Sequence, residues 1–353
     1  MIVLPLSLNE LVSYARERDA SDIHLVCGIE PRCRIDGAVV NITDEKLSYD
    51  DCAYYAKALC GEDFEKIEDM GEWDGAADIS GVRCRINVFR QRSGISTALR
   101  LLKGDIPDLA GLGLPPAVTR LPELLSGIVL VTGVTGSGKS TTLSAMLDTI
   151  NHSRQAHIIT LEDPIEYVYE PDRCIINQRE VGRDTESYSS GLRAVLREDP
   201  DVILIGEMRD LDTIRTALTA AETGHLVFAT LHTGTAADAV DRIVDVFPEG
   251  EQKQIRMQLS ITLQAVISQK LIPSLRGGRV AACEVMVVTP AIRNLIREGK
   301  TPQISNAIMT SSAEGSITMD NCLIKLYREK KISGQMARLY ARDEAYVKKS
   351  TVV

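Results

Sequence analysis

The spacing of hydrophobic positions changes along the chain and divides it into two parts. In the N-terminal part, apolar and polar positions alternate in short runs that are separated by turn residues, which is typical of half-buried strands. Farther along, continuous apolar runs of strand length alternate with stretches of helical periodicity. That alternation indicates a mostly parallel sheet wrapped by helices. The chain is therefore predicted to be an α/β protein in which a small α+β domain precedes a larger domain.

The N-terminal part is predicted to contain two helices and several strands. Ser7 begins a helix over 7–18, because Glu10, three residues later, completes a capping box. A second helix covers 49–59 and ends at Gly61. Strands are predicted at 22–26, 31–40, 73–79, 82–92 and 95–102, with hairpin turns at Asp36-Gly37 and Ser93-Gly94.

A glycine- and proline-rich segment separates the two parts. Residues 103–116 carry three glycines and three prolines, which is typical of a linker. The predicted organisation is therefore an N-terminal domain over 1–102, a linker over 103–116 and a second domain over 117–353, of which 290–353 is helical.

The second domain is predicted to alternate strands with helices. Apolar runs predict strands at 128–132, 157–161, 202–206, 226–231 and 280–288. Helical periodicity predicts helices at 140–152, 187–198, 210–223, 235–246 and 249–271. In such folds, ligands bind where the strands end at their carboxyl termini.

Composition narrows the classes of function. The formal net charge of −9 and an aromatic content of 4% do not favour a protein that coats nucleic acid or stacks bases. The eight cysteines are scattered without a C-x-x-C pair, which indicates a reduced chain without a zinc site. No apolar run approaches the roughly 20 residues needed to span a bilayer, and residues 1–6 do not resemble a signal peptide. We therefore expect a soluble cytoplasmic protein that reaches a membrane only through a partner.

One motif predicts a nucleotide triphosphate as ligand. Residues 133–140 place two glycines five positions apart before Lys139 and Ser140, and a strand-length run precedes them while a helix follows. Glycines let several backbone amides face one anion, the lysine reaches the β- and γ-phosphates, and the serine hydroxyl holds Mg²⁺. The predicted ATP-binding residues are Gly133, Val134, Thr135, Gly136, Ser137, Gly138, Lys139, Ser140 and Thr141. A chance glycine-rich loop does not explain the flanking strand and helix.

Hydrolysis also requires a group that positions water. Glu207 follows the buried run 202–206, so it is predicted to lie at the ligand side of the sheet and to act as general base. Gly206 stands where such motifs usually carry a metal-binding Asp, so Mg²⁺ is predicted to depend on Ser140 together with carboxylates. The alternative for Glu207 is a solvated carboxylate at a strand end.

A second acidic cluster follows the run 157–161. Glu162, Asp163 and Glu166 would repel one another without a cation, which favours a site for a metal ion and its waters. Glu166 and Glu207 are the predicted carboxylate contributors to the Mg²⁺ site, although spacing does not identify which carboxylate of the cluster faces the metal. An exposed acidic turn is the alternative.

Histidines and arginines complete the candidate site. His232 follows the run 226–231 on the ligand side and is predicted to sense the γ-phosphate, whereas His225 lies at the opposite end of that run. Arginines can stabilise charge during phosphoryl transfer. The predicted arginines are Arg193 and Arg197, four apart before the Glu207 strand, and Arg85 and Arg100 on neighbouring strands of the first domain. Structural histidines and surface salt bridges are the alternatives.

These motifs together resemble the secretion ATPases of type IV pili and type II secretion, nearly from end to end. Residues 133–140 resemble that family's Walker A motif, 162–166 its Asp box, 206–210 its atypical Walker B motif, 224–233 its His box and 21–25 its N-terminal signature. Within the family, residues 291–298 are similar to the C-terminal motif of the pilus retraction ATPases.

The resemblance implies a PAS-like N-terminal domain and a RecA-like ATPase domain with a helical C-terminal part. It also implies a homohexamer in which Arg85 and Arg100 contact nucleotide phosphates, and Arg193 and Arg197 match arginines before Walker B. The implied partner is the inner-membrane platform protein of the pilus, which would hold the ring at the inner face of the cytoplasmic membrane without direct contact to nucleic acid.

Other functions stay open at this point. Assembly ATPases of the family carry a further N-terminal domain and usually a four-cysteine zinc motif, neither of which is present in this sequence. Accessory pilus motors share the remaining motifs. A RecA-like nucleic-acid motor and a nucleotide switch that does not hydrolyse ATP are the alternatives from other classes.

Overall fold

The computed structural model describes residues 6–35, 37–92, 94–102 and 104–351, without the side chains of 66, 68 and 69. Residues 1–5, which belong to the segment that we expect not to be a signal peptide, and the turn residues Asp36 and Ser93 lie outside these ranges. The chain divides into two compact units. The first comprises Met1–Asp105 and Pro164–Val168, and the second comprises Ile106–Asp163 and Tyr169–Val353.

The first unit is a six-stranded antiparallel sheet with three helices. In chain order its elements are α1 (Leu8–Glu17), β1 (Asp22–Val26), β2 (Arg32–Ile35), β3 (Ala38–Asn41), α2 (Tyr49–Cys60), α3 (Phe64–Met70), β4 (Glu72–Ile79), β5 (Val82–Gln91) and β6 (Gly94–Leu101). The strand order is β3-β2-β1-β6-β5-β4. The predicted capping box is confirmed, since Ser7 and Glu10 bond each other's backbone amides. The predicted strands are also present, whereas the short helix α3 was not predicted.

One face of this sheet is buried and the other carries polar side chains. Along β5, Cys84, Ile86 and Val88 are fully buried with α1 and α2, whereas Arg85 between them is exposed. The alternation is the one expected of an antiparallel sheet that is covered on one side. The face of the sheet that carries Arg85 is therefore not covered by the hydrophobic core of this unit.

The second unit is built on a seven-stranded sheet. Its elements are α4 (Pro116–Thr119), β7 (Gly127–Thr132), α5 (Lys139–Ser153), β8 (His157–Glu162), β9 (Ile175–Glu180), α6 (Tyr188–Val195), β10 (Val202–Ile205), α7 (Leu211–Glu222), β11 (Leu226–Leu231), α8 (Ala236–Asp245), α9 (Glu249–Thr262), β12 (Leu263–Pro273), β13 (Arg279–Val287), α10 (Pro290–Glu298), α11 (Ile304–Thr310), α12 (Met319–Arg328), α13 (Gly334–Tyr340) and α14 (Glu344–Ser350). The strand order is β13-β12-β7-β11-β10-β8-β9, and only β13 runs antiparallel to its neighbour.

Both faces of this sheet are covered by hydrophobic side chains. Along β7, Ile128 and Leu130 enter one buried cluster, whereas Val129 and Val131 enter another on the opposite face. A parallel sheet that is buried on both faces explains why its strands read as continuous apolar runs. The predicted α/β class and the helical region after Pro290 are confirmed. Within the described ranges, we find no helix with the length and apolar character of a membrane span.

The predicted helix over 249–271 is wrong in its second half. Helix α9 ends at Thr262, and the chain continues directly as strand β12. Strand β12 is buried between β7 and β13, and it contains the β-branched pair Val266 and Ile267. Periodicity alone does not distinguish a fully buried strand from a buried helix.

Strand β9 was not predicted, because it lies at the sheet edge, where Ile175 is exposed and the apolar run is broken.

Two other boundaries differ from the prediction. Helix α6 ends at Val195, so Arg197 lies in the following turn and not on the helix. Asp199, which has a positive φ, precedes Pro200, and this pair ends the helical path before β10. Most of the predicted linker is packed: from Ile106 onward it belongs to the second unit, where Leu109 and Leu114 are buried beneath the sheet.

Candidate nucleotide-binding site

The phosphate-binding loop connects the buried strand β7 to α5. Gly133, Gly136 and Gly138 all have φ between +79° and +145°, a region that side-chain-bearing residues rarely adopt. A Cβ atom at Gly133 would lie 2.4 Å from the carbonyl oxygen of Gln269. A Cβ at Gly136 would meet nothing within 4 Å, so the loop is open there. The three glycines are therefore required by backbone conformation, and Gly133 also by space.

The loop and the start of α5 lack a side-chain cap. Gly138 is the N-cap of α5, and as a glycine it supplies no side-chain hydrogen bond to the amides of the first turn. The Ser137 hydroxyl is buried and has no hydrogen-bond partner in the described part of the chain. A buried orphan donor beside a helix N-terminus fits an anionic ligand such as a phosphate.

Lys139 bends back over the loop that precedes it. Its Nζ donates hydrogen bonds to the carbonyl oxygens of Gly133 at 2.8 Å and Val134 at 3.2 Å. The ammonium group therefore lies at the mouth of the loop, where an entering phosphate meets a positive charge.

Gln269 holds the loop in place, and sequence reasoning missed it. Its Nε2 donates to the Ser137 carbonyl oxygen at 2.8 Å, while its Oε1 accepts from Thr142 Oγ1 at 2.9 Å. Gln269 lies on β12, beside β7, and is 2% exposed. A glutamine inside an apolar run was the available signal, but the incorrect helix prediction over 249–271 hid its position.

Glu207 lies beyond the end of β10 and is held by two neighbours. Its Oε2 is 2.7 Å from Arg209 NH2, and its Oε1 is 3.3 Å from His232 Nε2. Burial alone would raise the pKa of Glu207, but the hydrogen bond from Arg209 and the electrostatic interactions with His232 and Arg209 outweigh burial, so this pKa is below its ordinary value. The carboxylate is 18% exposed and ionised at neutral pH. Sequence reasoning placed His232 near the γ-phosphate but missed its contact with Glu207 and the contribution of Arg209.

Gly206 makes room for a tyrosine. A Cβ at Gly206 would lie 2.7 Å from the Tyr188 hydroxyl and 3.2 Å from the Leu161 carbonyl oxygen. Burial, and then the negative charges of Asp163, Glu162 and Glu207, raise the pKa of the Tyr188 phenol. The hydroxyl is therefore a neutral group among carboxylates. An Asp at position 206 would collide with it, which explains why glycine follows strand β10.

The carboxylates of the acidic cluster have different environments. Glu162, the last residue of β8, accepts hydrogen bonds from Thr160 at 2.6 Å and from Gln178 at 3.3 Å, whereas Asp163 is exposed. Glu166 lies in the segment Pro164–Val168 of the first unit. In the described residues, no group of three or more His, Cys, Asp or Glu side chains is arranged to hold a metal ion by itself.

The two histidines have different roles. His225 Nδ1 lies 2.8 Å from the Ala220 carbonyl oxygen and 3.1 Å from Thr223 Oγ1, so it closes the end of α7. His232 lies at the opposite end of β11 and is bound to Glu207. The structural interpretation therefore holds for His225.

The predicted arginines lie on exposed surfaces. Arg193 and Arg197 are exposed, and neither has a side-chain hydrogen bond or ion pair within the described ranges. In the first unit, Arg85 and Arg100 are directly opposite each other on β5 and β6. Arg100 Nε donates to Asp22 Oδ1 at 3.0 Å.

A cavity of about 380 Å³ adjoins the phosphate-binding loop. Gly138 and Thr141 of the loop and α5 line this cavity. Leu112 and Leu271 contribute apolar surface, and Arg276 contributes a positive charge. Its size and mixed lining fit a nucleoside better than an ion.

The motif over 291–298 has a structural role in this unit. Arg293 of α10 donates to the carbonyl oxygens of Ser260 at 2.8 Å and Ile261 at 2.7 Å, and to Gln264 Oε1 at 3.1 Å. These bonds satisfy the open C-terminal end of α9 at its junction with β12. Arg293 therefore stabilises the turn that leads into the strand of Gln269.

Comparison with known proteins identifies the family. A family model described as type II/IV secretion system protein matches residues 2–326. The chain belongs to this family. Among curated relatives in the secretion ATPase family, the chain is 48% identical over 339 residues to the type IV pilus retraction ATPase PilT of Pseudomonas aeruginosa, covering 96% of this chain and 98% of that protein. It is 36% identical over 339 residues to the type IV pilus ATPase PilU of the same organism, covering 95% and 89%.

A solved structure of the pilus retraction motor PilT with bound ADP has the same fold as this member of the secretion ATPase family. The TM-score is 0.91 at 47% sequence identity, and the match covers 98% of this chain and 99% of that one. The family resemblance predicted from the motifs is thereby confirmed, as is the predicted fold class.

Proposed function

We propose that this protein is a motor ATPase that powers retraction of a type IV pilus by hydrolysing ATP. The observation that carries the proposal is that the phosphate-binding loop, His232 and Glu207 all follow the carboxyl ends of neighbouring strands. The phosphate-binding loop follows β7, His232 follows β11 and Glu207 follows β10, and these three strands are neighbours. A triphosphate bound at the loop would therefore extend toward the half-buried carboxylate of Glu207. The pilus as the object of the motor rests on the similarity to PilT.

Different residues of the chain bind different parts of the nucleotide, from the nucleoside to the phosphates. The nucleoside occupies the cavity beside Thr141, the amides of 136–139 surround the β-phosphate, and Lys139 exchanges its loop carbonyls for phosphate oxygens. The Ser137 hydroxyl supplies a further donor. The Ser137 hydroxyl has no hydrogen-bond partner in the described residues, and Thr141 lines the cavity.

Glu207 positions the attacking water in this proposal. Because its pKa is below the ordinary value, the carboxylate is ionised and accepts a hydrogen bond from water at neutral pH. Phosphoryl transfer needs little proton removal before bond cleavage, so orientation of the water matters more than basicity. His232, bound to the other oxygen, fixes the direction of the carboxylate and lies toward the γ-phosphate.

Mg²⁺ fits the donor set that the site offers. The Ser140 hydroxyl, which has no hydrogen-bond partner in the described ranges, would bind the ion, and Glu162, Asp163 and Glu166 would hold its waters. Since no cluster in the part of the chain that the structure describes would hold a metal alone, most ligands would be phosphate oxygens and water, as is usual for Mg²⁺. When bound, the ion neutralises charge on the phosphates. The contribution of Glu207 to the metal stays a prediction, because Arg209 and His232 already occupy its oxygens.

We also propose a homohexamer in which arginines act between subunits. Arg85 and Arg100 lie directly opposite each other, which is unfavourable for two like charges, and Asp22 pairs with Arg100 while Arg85 is exposed. They would reach the phosphates of a neighbouring subunit, and the exposed Arg193 and Arg197 would complete the positive surface around the transferred group.

The motion and the partner follow from this arrangement. Nucleotide turnover would rotate the two domains about the beginning of the predicted linker 103–116, since its later residues are packed in the second unit. The platform protein at the inner membrane would convert the rotation into pilin removal. The ring would lie at the cytoplasmic face of that membrane, without nucleic acid.

Three experiments test the function. Phosphate release by the Glu207→Gln variant should fall by about 10²–10⁴-fold, while Glu186→Gln, an exposed carboxylate, serves as control and keeps the wild-type rate. Equal rates for wild type and Glu207→Gln would contradict the proposed motor function.

In cells that lack the gene, excess pili that do not retract are expected. Bald cells would identify an assembly ATPase, and retracting pili would indicate an accessory motor. Stimulation of the ATPase by single-stranded DNA would favour a nucleic-acid motor.

A further inference from the structure

The segment near the C-terminus is attached to the core through a buried charge. Glu284 on β13 is 2% exposed, and Arg342 covers it with two hydrogen bonds, NH1 to Oε2 at 2.7 Å and NH2 to Oε1 at 3.2 Å. A buried carboxylate without a cationic partner is strongly destabilising. The bidentate geometry is one that arginine makes and lysine does not.

The same pair holds the loop that carries His232. The Glu284 Oε1 atom accepts a hydrogen bond from the Ala236 amide at 3.0 Å, and Arg342 NH2 donates to the Gly234 carbonyl oxygen at 3.0 Å. Both contacts lie within four residues of His232. His232 in turn lies 3.3 Å from Glu207. Polar contacts and the short backbone stretch 232–236 therefore link residue 342 to the candidate catalytic carboxylate.

Arg342 is itself fixed by the helical region. The backbone amides of Arg342 and Asp343 donate to the two carboxylate oxygens of Asp320 on α12, at 2.7 and 3.1 Å. The Tyr340 carbonyl oxygen accepts from Lys270 at 3.4 Å, and Lys270 directly follows Gln269 on β12. The segment 340–343 thus contacts both the strand that supports the phosphate loop and the loop of His232.

We infer that Arg342 is a positioning residue for hydrolysis, because it holds the 232–236 loop at the distance from Glu207 that the γ-phosphate requires. Displacement of segment 340–343 would move His232 away from Glu207 and slow cleavage without preventing nucleotide binding. The inference rests on the proposed roles of His232 and Glu207. It assigns the helical C-terminal region a control over turnover and not only a packing role.

The test uses the full chain and a conservative change. Arg342→Lys keeps the charge but loses the bidentate contact, and Arg338→Lys, at a position without a side-chain partner in the described ranges, is the matched control. We expect kcat for ATP to fall by about tenfold in Arg342→Lys with KM unchanged, and no change in Arg338→Lys. Asp320→Asn, which loosens the anchor of the segment and leaves Arg342 intact, should lower kcat in the same direction if the first variant folds poorly.

A double-mutant cycle distinguishes positioning from general stabilisation. In a His232→Gln background, Arg342→Lys should cause no further loss of kcat. An equal loss in both backgrounds, or no loss in Arg342→Lys and Asp320→Asn, would overturn the inference while leaving the proposed function intact. If His232→Gln alone keeps the wild-type kcat, the proposed role of His232 fails, and this inference fails with it.

Discussion

Gln269 and Thr142 form a buried hydrogen bond of 2.9 Å that joins strand β12 to the first turns of α5. The other end of the same amide binds the Ser137 carbonyl oxygen. One side chain therefore fixes both the phosphate loop and the helix whose N-terminus faces the ligand.

Replacing Gln269 by Leu should weaken both stability and nucleotide binding. The change leaves the Ser137 carbonyl and the Thr142 hydroxyl buried without partners, at a cost of about 1–3 kcal/mol. We expect a lower urea midpoint and a KM for ATP that rises about tenfold, which corresponds to about 1.4 kcal/mol. Gln254→Leu, at an exposed position of α9, is the control. An unchanged KM for ATP in Gln269→Leu would show that the loop keeps its shape without this amide.

Gly206→Ala should inactivate the enzyme because its methyl group would lie 2.7 Å from the Tyr188 hydroxyl. Overpacking of this kind costs about 1–3 kcal/mol and displaces Glu207, the next residue. Adding Tyr188→Phe removes the colliding oxygen and should restore part of the stability, measured by thermal unfolding. Restoration is incomplete because the Leu161 carbonyl oxygen is also close. Gly250→Ala, where a Cβ meets nothing, is the control. If the double variant is no more stable than Gly206→Ala, Tyr188 does not limit this position.

Arg209→Ala should shift the dependence of kcat on pH. Arg209 helps to hold the pKa of Glu207 below its ordinary value, so its removal raises that pKa. The ionised carboxylate is the active form, and activity is lost as pH falls through its pKa. The acid limb of the profile should therefore move to higher pH. Arg215→Ala, which removes the exposed pair with Glu251 and the contact of Arg215 with the Phe247 ring but no contact with Glu207, should leave the profile in place. A shift to lower pH, or no shift, would contradict the assigned role of Arg209.

Arginines that act between subunits should show complementation in mixed rings. Lys139→Ala subunits lack a working loop, and subunits with both Arg85→Ala and Arg100→Ala lack the arginines, so neither ring should hydrolyse ATP alone. In an equal mixture, about one quarter of sites combine an intact loop with intact arginines from the neighbour. Phosphate release should therefore reappear on mixing and subunit exchange. Mixtures that stay inactive although mixed rings form would place the arginines in the same subunit as the loop.

The sequence by itself determined the parts of this protein that depend on neighbouring residues. The phosphate-binding loop requires glycines at backbone angles that other residues rarely adopt, and this requirement is visible in a contiguous motif. The capping box of Ser7 and Glu10 acts over three residues and was predicted for the same reason. The similarity to secretion ATPases rests on these local patterns.

Only the tertiary structure decided how distant residues complete the site. Gln269 bonds the Ser137 carbonyl across 132 positions and Arg342 binds Glu284 across 58, and no local pattern links either pair. Residues 263–271 were expected to be helical but form strand β12, which is buried between two other strands. Pairing with both neighbours and burial of both faces stabilise the strand more than helical periodicity would stabilise a helix there. Local conformation follows from adjacent side chains, whereas pairing across the sheet follows from strand order, which is established only when the whole core packs.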